Sequence, residues 1–215
     1  MVEQVYSSIL DAICDGRLAP GMRLTQDSVA ERLNVSRQPV GQALLILKKQ
    51  SFVKETGRRG LIVAPLDPDL IRSVYELRLG IDPVAACLAA ARAAPEDIEV
   101  GRRILKTGER ALASGSINAL IKADMDFHML IYQMSGNRLL IDSMEMNWNH
   151  LRRAMREVLR RTNYRATVWA EHADILDQLE AGNARRAEKA ARHHIDAASN
   201  YLERQVAEAV NNAAV

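Results

Sequence analysis

The stretch Thr25–Leu47, TQDSVAERLNVSRQPVGQALLIL, constrains the chain more than any other. Val29, Ala30 and Leu33 share one face of a short helical period, and Val40, Leu44 and Leu47 follow at i, i+4 and i+7 in a second. The join between them, Asn34-Val35-Ser36, is tight. Asn34 tolerates the left-handed conformation that closes a helix, Ser36 suits an N-cap, and Pro39 lies in the first turn, where its missing N–H costs least. This spacing predicts a helix-turn-helix, which lays its second helix in the DNA major groove. Ser36 at the start of that helix and the exposed Arg37, Gln38 and Gln42 can bond phosphates or base edges. On these residues alone an ordinary helical hairpin of a core remains the alternative.

The flanks favour the first reading. Val5, Ile9, Leu10 and Ile13 predict a helix over 2–15, ending at Asp15-Gly16; Ala19-Pro20-Gly21 is a turn, and Met22-Arg23-Leu24 is at most a short strand. Phe52–Thr56 and Leu61–Ala64 are β-prone runs around Gly57-Arg58-Arg59-Gly60, the pattern of a hairpin wing. Arg58 and Arg59 beside Gly60 suit a minor groove or a phosphate, with a solvated turn as the alternative. Pro65-Leu66-Asp67-Pro68 marks a boundary, with Asp67 as N-cap. Residues 1–66 thus form a DNA-binding domain of three helices and a small wing, and 67–215 a second domain. The first holds nine Lys+Arg against six Asp+Glu, whereas the second holds 20 against 21. The positive excess lies with the DNA reader.

Residues 67–215 read as helical throughout, since aromatics make up only 4% of the chain and the strong helix formers Ala, Leu, Arg and Glu are plentiful. The pattern predicts an all-α bundle of six to seven helices: 68–93 with a kink near Pro83, 95–114, 116–135, 138–161, a fifth from Asn163 to Gly182-Asn183, and 184–209. No apolar run approaches the roughly 20 residues of a bilayer span, and the N-terminus lacks a signal-peptide layout. Cys14 and Cys87 lie far apart, so a reduced cytoplasmic setting without membrane contact is expected.

Four polar residues sit on inward stripes. Asp124 and His128, four apart, share a face with Leu120 and Ile131; His172 lies among Val168, Ile175 and Leu179, and His194 on the stripe of Ala187, Ala191 and Ala198. A buried histidine is usually a core residue with a hydrogen-bond partner, but facing helices of bundles also build metal sites from imidazole and carboxylate. The spacing leaves both readings open. His150 and His193 fall off these stripes and read as surface or supporting residues.

The front segment resembles the winged helix-turn-helix of the GntR family of bacterial transcription regulators. The likeness is carried by Leu18–Leu24, by Val29–Val40 and by Arg59-Gly60-Leu61-Ile62-Val63-Ala64-Pro65-Leu66. The back segment resembles the FCD effector domain of that family's FadR-type branch, through Tyr75-Glu76-Leu77-Arg78, Asp124 with Phe127-His128, Ser135-Gly136-Asn137, Glu171-His172 with Ile175, Gly182-Asn183 with Ala187, and His194-Ile195.

The resemblance implies a homodimeric repressor or activator that binds a palindromic DNA operator. It implies a divalent metal ion (Zn, Ni or Mn) held by Asp124, His128, His172 and His194, and a small carboxylate effector bound at the metal. Arg78 can pair the effector's charge or form a salt bridge to a helix neighbour. Two residues depart from the family pattern: Gly41-Gln42 replaces the usual Arg-Glu after Pro-Val, and Ser51 stands where glycine is usual. Two alternatives accompany this reading. One is a DNA-binding regulator with a purely structural metal. The other is a metallohydrolase, disfavoured because Glu171, its only obvious base, points away from the ligand face at i−1 and no His-Glu-x-x-His arrangement exists.

Overall fold

The computed structural model describes residues 1–57, 60–145, 147–159 and 165–213, and divides into two compact units, Met1–Leu66 and Asp67–Val215. The first unit runs α1 (Val2–Cys14), β1 (Arg23–Leu24), α2 (Gln26–Leu33), α3 (Arg37–Lys49), β2 (Val53–Glu55) and β3 (Leu61–Val63). Thr25 caps α2 by accepting from the Ser28 N–H at 3.1 Å, and Asn34 closes it in the left-handed region at φ 51°. Ser36 holds the N-cap backbone position of α3, but its side chain makes no capping bond, contrary to expectation. Residues Val40, Leu44 and Leu47 are buried against Val5, Ile9, Phe52 and Val63. Burial of each such aliphatic side chain contributes about 1.5–3 kcal/mol.

The wing is a three-stranded antiparallel sheet in the order β1-β3-β2, with Arg23 opposite Ile62 and Lys54 opposite Ile62 on the other side. Met22-Arg23-Leu24 therefore does contribute a strand, which pairs the end of the hairpin distant in sequence. Ser51 precedes it with φ +62°, a conformation that favours glycine.

The second unit consists of α4 (Pro68–Arg92), α5 (Pro95–Ser114), α6 (Ile117–Met134), α7 (Arg138–Glu145), α8 (Trp148–Leu159), α9 (Arg165–Glu180) and α10 (Ala184–Ala213). Asp67 caps α4 through the N–H groups of Asp69 and Leu70. Pro83 does not end α4. It cannot donate to the Leu79 carbonyl one turn back, and that oxygen instead accepts from Arg192 of α10 at 3.5 Å. The expected helix 138–161 is two helices. Asn147 turns the chain between them, its N–H bonding the Met144 carbonyl at 3.0 Å and its amide the Ser143 carbonyl at 2.8 Å; the end of that range, 160–161, lies outside the described residues. α10 continues past residue 209.

Two glycines of α5 let α9 approach it closely. A Cβ on Gly108 would stand 2.2 Å from the Trp169 ring, and one on Gly101 would stand 2.7 Å from Leu176. At Gly101 the end of the Leu176 side chain would have to give way, and at Gly108 the whole Trp169 ring, so the two glycines fit α5 against the segment Trp169–Leu176 that carries His172. No helix among the described residues is long and apolar enough to cross a membrane.

Candidate functional site

In the first unit, the predicted DNA-facing residues Ser36, Arg37, Gln38 and Gln42 are all exposed at and beyond the start of α3, opposite the buried Val40, Ala43, Leu44 and Leu47. Arg37 is not free: its Nε pairs with Asp27 Oδ1 of α2 at 2.6 Å, a partner that sequence reasoning missed. Gly60 is exposed at φ +122°, with the guanidinium of Arg23 alongside. Arg58 and Arg59 lie outside the described residues. Gly41 faces Gln26, whose Nε2 would stand 3.1 Å from an added Cβ.

In the second unit, Asp124 and His128 of α6, His172 of α9 and His194 of α10 are all buried; the three histidines meet one another, and Asp124 reaches the cluster at His172. One ligand nitrogen from each histidine lies within 4.8 Å of the other two. His172 Nε2 is 3.2 Å from His194 Nε2 and 3.5 Å from Asp124 Oδ1. Nitrogens bound to one ion at about 2.1 Å stand roughly 3.0–3.4 Å apart, so the His172–His194 pair already has ligand spacing.

The protonation states follow from the partners. Glu171 Oε2 lies 2.8 Å from His194 Nδ1. A carboxylate accepts, so Nδ1 carries the hydrogen of this bond. His172 Nδ1 is buried with no hydrogen-bond partner. Desolvation, with Arg78 and the neighbouring imidazoles adding to it, holds His128 well below the ordinary histidine range; His172 is depressed by burial, then by His194 and Arg78. Neutral imidazoles with inward lone pairs are what a borderline divalent ion binds. Asp124 is raised by its burial, against the pull of Arg78 and His194.

Beside the histidines lies a second network that sequence reasoning did not assemble. Arg78 of α4, 2% exposed, donates from Nε and Nη2 to Asp82 Oδ2 at 3.2 and 2.9 Å. Tyr132 donates to the other oxygen of Asp82. Burial alone would lower the Arg78 guanidinium, but Asp82 and the two nearby tyrosines hold it above its usual value. Arg78 Nη2 also stands 3.1 Å from His128 Nε2, and the guanidinium carbon lies 4.7 Å from the Trp148 ring centroid. Arg78 thus has the intrahelical salt bridge of the alternative reading while lining the pocket as well. A cavity of about 60 Å³ is bordered by Arg78, Asp124, His128, His194, Trp169 and Tyr201. At roughly 10–15 Å³ per water-sized group, it has room for a small polar molecule.

The signal for Asp82 was its i+4 spacing from Arg78, and for Tyr132 its i+4 spacing from His128. Glu171 does point away from the inward face of its own helix, as expected, but toward His194 on the next one; engaged there, it is no free base for hydrolysis. His150, expected at the surface or as a supporting residue, is buried on α8.

Residues 1–63 match the family of bacterial regulatory proteins described as gntR, and residues 73–197 match the FCD domain. An uncharacterized HTH-type transcriptional regulator of Bacillus subtilis, YdhC, is 26% identical over 200 residues, 92% of this chain and 87% of its own length. The Uxu operon transcriptional regulator of Escherichia coli is 29% identical over 216 residues, covering 90% of this chain and 83% of that protein. The solved structure of E. coli McbR/YncC superposes with a TM-score of 0.81 at 21% identity, over 95% of this chain and 97% of that one. At that identity it establishes the shared fold.

Proposed function

This chain belongs to the GntR family of bacterial regulators and carries an FCD effector-binding domain, and from that premise we propose that it is a cytoplasmic, metal-dependent sensor that controls transcription as a homodimer on a palindromic operator. The observation that carries the sensing half is the meeting of His128, His172 and His194, with Asp124 3.5 Å from His172, beside a cavity bordered by Arg78. These four residues would hold a divalent ion, Zn, Ni or Mn, which supplies a Lewis acid for the carboxylate of a small organic acid. Glu171 orients His194, and Asp82 with Tyr132 holds Arg78 in reach of the same ligand. In the reader, Ser36, Arg37, Gln38 and Gln42 would enter the major groove, while Arg58, Arg59 and Gly60 contact the flanking backbone. The effector then shifts DNA affinity only by binding two conformations unequally.

The exposed face of α4 supports self-association: Leu77 and Val84 are solvent-facing, and Gly80 between them has open space above its Cα. The test is to strip the protein with a chelator and titrate Zn, Ni and Mn while following thermal stability. Saturation at about 100 times Kd should add about 2.7 kcal/mol, and His172→Ala should abolish the gain. A stripped protein that none of the three ions stabilises would remove the metal site. DNA selected by the protein should show a symmetric repeat, and an asymmetric single site would remove the dimeric mode of reading.

A further inference from the structure

The reading face of α3 is unusual in what it lacks. From Gln38 to Leu47 the helix has no ionisable side chain; at its start Arg37 pairs with Asp27 at 2.6 Å, and of the two lysines in its last turn, Lys48 and Lys49, the first pairs with Glu55 at 2.5 Å. Its outward stripe at i, i+4 and i+7 is Gln38, Gln42 and Leu45. Leu45 is 54% exposed, whereas every other leucine of this unit is buried or partly buried, and Ile46 beside it is 38% exposed. Packing within this unit does not account for a bare leucine in line with two glutamines.

Groove chemistry accounts for it. Guanine presents two acceptors, N7 and O6, and is matched by the two donors of an arginine or lysine, which this stripe does not carry. A carboxamide has one donor and one acceptor edge, matching N7 and N6–H₂ of adenine. An aliphatic side chain matches only one group in the major groove, the C5 methyl of thymine. From this juxtaposition of Gln38, Gln42 and Leu45 we infer that α3 selects A·T base pairs, the glutamines reading adenine and Leu45 packing on a thymine methyl. The inference rests on the DNA-binding reading above and names the sequence class that it recognises.

The full-length protein should be used to select from duplexes with a randomised central segment, and the enriched site then rebuilt with 2′-deoxyuridine for thymine, one position at a time. Uracil keeps the base pair and removes only the methyl. One position in each half-site should then weaken binding about fourfold, the worth of burying one methyl group. Leu45→Ala should bind the thymine site about as weakly and be indifferent to the uracil exchange, and Gln42→Ala should lose its preference for adenine at a neighbouring pair. Half-sites specified by G·C pairs, or uracil exchange without effect at every position, would overturn A·T selection and leave DNA binding standing. A pool that shows no enrichment at all would overturn both.

Discussion

Removing the Asp82 carboxylate isolates the part of the pocket on which Arg78 depends. Asp82→Ala leaves a guanidinium that is 2% exposed without the acceptor of its 2.9 and 3.2 Å bonds, and also strands the Tyr132 hydroxyl. Breaking one side of a buried pair costs about 3–5 kcal/mol, most of it the penalty of the charge left behind. Both tryptophans, Trp148 and Trp169, lie in Asp67–Val215, so their fluorescence follows that unit alone. With a urea slope of about 2 kcal/mol per molar, the midpoint should fall by roughly 2 M. The measurement belongs in chelator, where no bound ion contributes. Arg78→Met combined with Asp82→Ala removes the stranded charge, so the double variant should be no less stable than Asp82→Ala, with a coupling energy of at least about 2 kcal/mol. A shift below about 0.3 M for Asp82→Ala, or additive effects in the double variant, would refute the view that these two buried charges depend on each other.

Two further outcomes come from local geometry. Ser51→Gly relieves a left-handed serine at φ +62°; against the αL cost of about 1–2 kcal/mol and the greater chain entropy of glycine, the net gain should be about 0.5–1 kcal/mol, read by calorimetry as a rise of a few degrees in the transition of the first unit. His128 and His172 are both depressed in the folded protein. Above about pH 6.5 they are neutral folded or unfolded; below it the unfolded chain takes up protons that the folded one refuses, so each removes up to about 1.4 kcal/mol per pH unit. Asp124, raised by burial, works with the opposite sign. Two imidazoles against one carboxyl leave the chelated protein about 1–3 kcal/mol less stable at pH 5.5 than at pH 7.5, and a flat urea midpoint across that range would contradict the assignment.

What the sequence made legible was whatever repeats with a helical period or stops a helix. Asn34 in its left-handed position, the capping carboxylate of Asp67 and the inward placement of His128, His172 and His194 on their own helices were readable, because each depends on spacing within a few residues or on an inward stripe; that the three histidines meet came only from the family resemblance. Pairings between elements were not. The Asp27 partner of Arg37, the Glu171 partner of His194 and the strand that Arg23 adds to the wing all depend on how segments meet, which periodicity does not encode. The break at Asn147 was missed for a related reason: Leu140, Met144 and Leu151 keep a helical rhythm on either side of a turn that two hydrogen bonds create.

The missing hydrogen of Pro83 has mechanical meaning. It leaves α4 one internal bond short immediately after Asp82, and the carbonyl so released, on Leu79, belongs to the residue after Arg78. The arm that reaches this oxygen belongs to Arg192, two residues before His194. The turn of α4 that presents the guanidinium is thereby touched, through one exposed arginine arm, by the strut bearing a candidate ligand.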